Sequence, residues 1–219
     1  MAVRRICMHA CGGITKVGAT VARLATYVVA EELVPEKTLI SCAPAFLRGV
    51  EEDVLMVVKS PSIALDGCEW SCGTNLLFLA GIAPAVRFLL PEYAEAQGYD
   101  LSGGSRRYPS GVTKDFSRRV AERVAGIAAG MMESGSPYRF ERPELKKQPE
   151  KWFRSAPNME GVMEFVRIEP GVYRPATMPP LPEESAGTAG DPAPAVQGSA
   201  RVAGEVGDGG AGEEVTDGG

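Results

Sequence analysis

The sequence predicts an α/β protein: a three-layer, doubly wound, mainly parallel four-stranded sheet, with an extended C-terminal arm and a disordered tail. Three observations carry this reading. Short apolar runs alternate with amphipathic stretches through residues 1–132. Such alternation folds as parallel strands joined by right-handed helical crossovers. Proline recurs through residues 133–182, and beyond Pro182 there is no aromatic residue while Gly, Ala and acids dominate. The chain therefore divides into an α/β domain (1–132), a Pro-rich arm (133–182) and a tail (183–219).

The run 2-AVRRIC-7 reads as the first strand. In 16-KVGATVARLATYVVAEEL-33, Val17, Val21, Leu24 and Val28 share one helical face, and Pro35 stops the helix. The run 38-TLISCA-43 is a second strand. Glu51, Glu52 and Asp53 open a helix over 51–59, where acids favour its positive end. The run 62-SIALD-66 is a third strand, and a helix follows from near Cys72 to about residue 80. The run 85-AVRFLL-90 is a fourth strand, with a loop over about 92–111. A last helix covers 113–132 with Phe116, Val120, Val124, Ile127 and Met131 on one face. The expected strand order is 2-1-3-4. Within the arm, residues 162–175 suit one or two edge strands. The tail has too little apolar surface to offset its ordering entropy.

The formal charge of −5 and the lack of a basic stripe with interleaved aromatics argue against a nucleic-acid partner. No apolar run approaches the roughly 20 residues needed to span a bilayer. The N-terminal segment lacks the apolar core of a signal peptide. A cytoplasmic, reducing setting is expected, and there cysteines more often serve metals or catalysis than disulfides.

Of the five cysteines, four form two pairs of equal spacing, Cys7 with Cys11 and Cys68 with Cys72. On the expected topology all five fall at carboxyl ends of strands, the edge where open parallel sheets bind ligands. Four converging thiolates suit tetrahedral Zn²⁺. A thiol at a helix N-terminus, as Cys72 would be, is favoured as thiolate. The same set suits an iron–sulfur cluster. A thiol redox or sulfur-transfer enzyme with Cys68 or Cys72 as nucleophile is the other alternative. Buried structural cysteines are the plain reading, which fits Cys42 in its apolar run.

The string 65-LDGC-68 with Cys72, the loop Cys11-Gly12-Gly13 and the intervening Cys42 resembles the DGC-domain family, proteins proposed to bind zinc. The resemblance spans residue 4 to about 132; the long tail and the 92–111 loop go beyond it. It implies Cys11, Cys42, Cys68 and Cys72 as metal ligands, with Cys7 an extra, and it implies no particular reaction.

Three residues remain as possible supports of that site: Asp66, Cys7 and His9. Asp66 is expected to anchor the turn by accepting Gly67 and Cys68 N–H groups, or else to orient a ligand. Gly67 suits a special backbone conformation or a close approach to the ligand. His9, the single histidine, is expected to point outward at the strand's end. Trp70 is expected to cover the site from water. The loop 11-CGGITKVGAT-20 opens a helix and so suits an anion, yet it matches neither a P-loop nor Gly-x-Gly-x-x-Gly.

Overall fold

The structure is a computed structural model that describes residues 5–79, 81–109, 111–134, 138 and 164–186. The tail expected over 183–219, from residue 187 on, and most of the arm before 164 lie outside the described residues.

Six strands form one sheet in the order β2-β1-β3-β4-β6-β5. They are β1 (Ile6–Ala10), β2 (Thr38–Ile40), β3 (Ser62–Asp66), β4 (Val86–Leu89), β5 (Phe165–Glu169) and β6 (Val172–Pro175). β1 runs parallel to β2 and β3, and β3 parallel to β4. The expected order 2-1-3-4 is therefore present, but the sheet is mixed and six-stranded rather than mainly parallel and four-stranded. The correction comes from the arm. Its residues 165–175 form a hairpin that pairs antiparallel with β4, Arg87 opposite Tyr173 and Phe88 opposite Val172. A bare β4 would expose a row of unpaired N–H and C=O groups. At the hairpin's turn Gly171 has φ +76°, and a Cβ there would stand 2.4 Å from the Tyr93 backbone nitrogen, so a side chain is excluded twice over.

The helices are α1 (Val17–Val28), α2 (Ala43–Arg48), α3 (Glu51–Lys59), α4 (Cys72–Leu79), α5 (Leu90–Ala96), α6 (Val112–Ser134) and α7 (Pro182–Ala186). α1 continues as a π-helical turn over Val29–Leu33. α2 and α5 fall where the sequence reading had strand end and loop. Each begins at an X-Pro pair, Ala43-Pro44 and Leu90-Pro91. Proline in a first turn costs no hydrogen bond and presets the helical φ, so there it starts a helix. α7 takes in Glu183 and Glu184, residues expected to open the tail. The Arg123 guanidinium holds Glu183 at 2.5 Å and Glu169 at 2.5 Å, and Arg174 holds Glu184 at 2.9 Å. These pairs tie α6, the hairpin and α7 together.

Period-two alternation in β1 divides the core. Ile6 and Met8 pack with α1 residues Ala19, Val21 and Ala22 and with α6 residues Phe116, Val120 and Val124. Cys7 on the opposite face packs with Phe46, Val57, Ala64 and Leu77. Helices thus cover both faces, and the carboxyl ends of β1 and β3 open between the layers. Among the described residues, no helix is long and apolar enough to cross a membrane.

Candidate functional site

Cys11 directly follows β1, and its backbone N–H donates to the Leu65 carbonyl at 2.9 Å. Cys68 lies in the tight turn after β3, whose carbonyl accepts the Ser71 N–H at 3.1 Å. Cys72 is the first residue of α4. The three thiols are neighbours. The Cys72 thiol is raised above its usual value by partial burial, then by Cys11 and Cys68, then by Asp66. Cys42 stands at the N-cap of α2, exposed, with its N–H donating to Asp53 Oδ1 at 3.0 Å. All five thiols are free.

Cys7 is not at a carboxyl end. β1 begins at Ile6, so Cys7 is its second residue and fully buried in the layer beneath α3 and α4. Burial, then the charge of Asp53, pushes its thiol up to about 12. The thiol therefore keeps its proton in the folded state where an ordinary one, near 9.0, has lost it. Between those two pH values ionisation favours the unfolded chain, and stability falls as pH rises, by at most about 1.4 kcal/mol per pH unit. Replacing Cys7 with Ala is expected to flatten the fall in unfolding free energy above pH 9.0, measured by denaturant titration. In the native protein Cys42 and Cys72 should alkylate first and Cys7 last.

His9 also departs from expectation. It is 1% exposed rather than outward-pointing, and neither ring nitrogen has a hydrogen-bond partner among the described residues. Its ring meets Phe46 edge-on at 6.2 Å. Burial pushes its pKa down to about 4, which keeps the imidazole neutral at neutral pH.

Asp66 does not serve the Gly67 and Cys68 N–H groups. Its Oδ1 accepts the N–H groups of Gly73 at 2.9 Å and Thr74 at 3.2 Å, and its Oδ2 accepts the Thr74 hydroxyl at 2.6 Å. These are orphan donors of the first turn of α4, so the carboxylate of one element caps the helix of the next. Arg87 approaches Oδ2 at 3.3 Å and also donates to Ser71 Oγ. Burial pushes the Asp66 carboxyl above its usual range, against the pull of Thr74, Arg87 and Gly73. Sequence reasoning missed Arg87, Ser71 and Thr74. The available signal was Arg87 itself, a charge inside an otherwise apolar strand.

Gly67 serves a close approach, but to protein. A Cβ on it would stand 2.3 Å from the Ala19 nitrogen, and one on Gly18 would stand 2.1 Å from the Gly67 oxygen. The first turn of α1 and the turn after β3 touch through bare backbone. This contact holds the turn that carries Cys68 against the first turn of α1. Trp70 does not cover the thiols; it is 67% exposed, with Lys16 Nζ 6.0 Å from its ring centroid.

As the side chains stand, no three of His, Cys, Asp and Glu among the described residues are close enough to hold a metal ion. The donor chemistry suits a soft ion, and the exposed Cys42 and Cys72 have room to turn.

No curated protein and no solved structure matches the chain. The model of one protein family, the DGC domain, matches residues 7–122, more than half of the chain and all of the thiol-bearing loops. The Asp-Gly-Cys triplet in that span is the capping carboxylate, the bare-backbone contact and the Cys68 thiol described above, and the chain belongs to the DGC-domain family.

Proposed function

We propose that this protein binds Zn²⁺ through thiolates at the carboxyl edge of its sheet, Cys11, Cys68 and Cys72 with Cys42 completing the set, in a structural, carrier or sensor role. The observation that supports this is the crowding of Cys72 by Cys11 and Cys68, drawn from loops after β1 and β3. Partial burial, then Cys11 and Cys68, favours the protonated form of the Cys72 thiol; a divalent cation there would reverse that and stabilise the thiolate. Four thiolates close the coordination shell, which favours binding over hydrolysis. Free thiols throughout suit a reducing compartment such as the cytoplasm, and the acidic balance suits no nucleic-acid partner.

Elemental mass spectrometry of the freshly purified full chain tests this. About one zinc per chain is expected, with most of it lost in Cys68→Ser or Cys72→Ser and retained in Cys7→Ser. A hydroxyl stays protonated near neutral pH and is a poor ligand for a borderline-soft ion. A brown protein containing iron would replace zinc with a cluster. A metal-free chain whose thiol count falls by two on oxidation would replace metal binding with redox chemistry.

A further inference from the structure

A cavity of about 500 Å³ opens at the carboxyl edge between the loop after β1 and the loop after β3. In the order 2-1-3-4 this is where the connections change direction, the crevice in which open α/β sheets hold ligands. Its volume lies within the roughly 300–1,000 Å³ of small-molecule sites. Lys16 and Arg106 bring two cations to its lining. Neither makes an ion pair with a carboxylate among the described residues. Val17 and Gly18 line it as well, the first residues of α1, which carries no acid in its first turn and no side-chain cap. The rest of the wall has apolar Ala94, Tyr99 and Leu101, two carboxylates, Glu69 and Glu95, that add acceptors, and Cys68 of the thiol edge.

The wall that carries Arg106 is pinned. The Thr20 hydroxyl of α1 donates to the Arg106 carbonyl at 2.6 Å. A Cβ on Gly104 would stand 2.6 Å from Thr113 Oγ1 and 2.7 Å from Val17 Cγ1, so the loop lies hard against α1 and α6. Tyr99 is held by Phe116 at a ring separation of 4.8 Å. The cavity is therefore built into the fold.

We propose that this cavity binds a small phosphorylated molecule with a flat ring, the size of a nucleoside monophosphate. The phosphate lies toward Lys16 and Arg106, and the ring along Tyr99 and Leu101. Two cations beside an uncapped helix start suit a dianion better than a single carboxylate. Glu95 accepts from a ribose hydroxyl or a base amine. The pair of cations leaves no local sequence motif, because Lys16 and Arg106 lie ninety residues apart. The proposal does not rest on bound zinc: its charged anchors are not thiols.

Isothermal titration of the full chain with the four ribonucleoside monophosphates, inorganic phosphate and adenosine tests it. At least one nucleotide is expected to bind more tightly than phosphate or adenosine. Lys16→Ala and Arg106→Ala should each weaken it by about tenfold, the scale of one charge-assisted hydrogen bond. Both side chains are exposed, so melting temperatures should stay unchanged. Lys37→Ala, on another loop, should have no effect. Absence of nucleotide binding at millimolar concentration would overturn the proposal, as would equal binding to both variants, or phosphate binding as tightly as every nucleotide.

Discussion

Replacing Gly67 with Ala is expected to destabilise the protein by about 3 kcal/mol, near the upper end of overpacking penalties, and to lower the melting temperature by roughly 10 °C. The added methyl would sit 2.3 Å from the Ala19 nitrogen, 2.5 Å from its Cα and 2.7 Å from the Gly18 carbonyl carbon. All three are backbone atoms, so no rotamer change relieves the clash. Relief requires α1 to move away from the turn after β3, which displaces the turn that carries Cys68. Gly12→Ala is the matched control: a Cβ there meets nothing within 4 Å, and a change within about 0.5 kcal/mol is expected. Thermal and chemical denaturation of the two variants make the comparison. Equal stability of the two would mean that the triplet glycine is not there for packing.

Removing the carboxylate of Asp66 should cost as much. Asp66→Ala leaves the N–H groups of Gly73 and Thr74 and the Thr74 hydroxyl without their acceptor, and leaves Arg87 without its ion-pair partner. Asp66 is 0% exposed and the Arg87 side chain 20%, so water compensates little. Breaking a buried pair from one side costs about 3–5 kcal/mol, and the partial exposure of Arg87 places this case near the lower value. Asp66→Asn should lose about half as much. Its remaining oxygen can serve the two N–H groups and its amide can donate to the Thr74 oxygen, while the attraction to Arg87 is lost. Denaturant titration orders the three proteins; Asn as damaging as Ala would shift the weight from helix capping to the ion pair.

These two residues show how far the sequence could be read. The alternation of apolar runs was legible, and with it the order 2-1-3-4. So was the placement of Cys11, Cys68 and Cys72 at one edge, because a residue just past a strand's end has few places to go. What Asp66 and Gly67 do was not legible, because both act on distant partners. Asp66 caps a helix that starts six residues later, and Gly67 touches Gly18 from nearly fifty residues away. The same limit hid the burial of His9, which follows from where α2 packs, and α2 itself was masked by the apolar run 38–43, read as strand as far as Ala43. It also hid the joining of the arm to the sheet, since its strands read as edge strands without naming which edge.

The hairpin that completes the sheet has a consequence for biosynthesis. β4 ends at Leu89, but its second neighbour, β6, begins at Val172. At roughly 5–20 residues per second, a ribosome takes about 4–16 s to make the stretch between them. For that interval the nascent chain carries β4 with one side unpaired, able to join the corresponding strand of a neighbouring nascent chain on the same message. The hairpin thus arrives long after the strand it covers and removes a hazard that synthesis order itself creates.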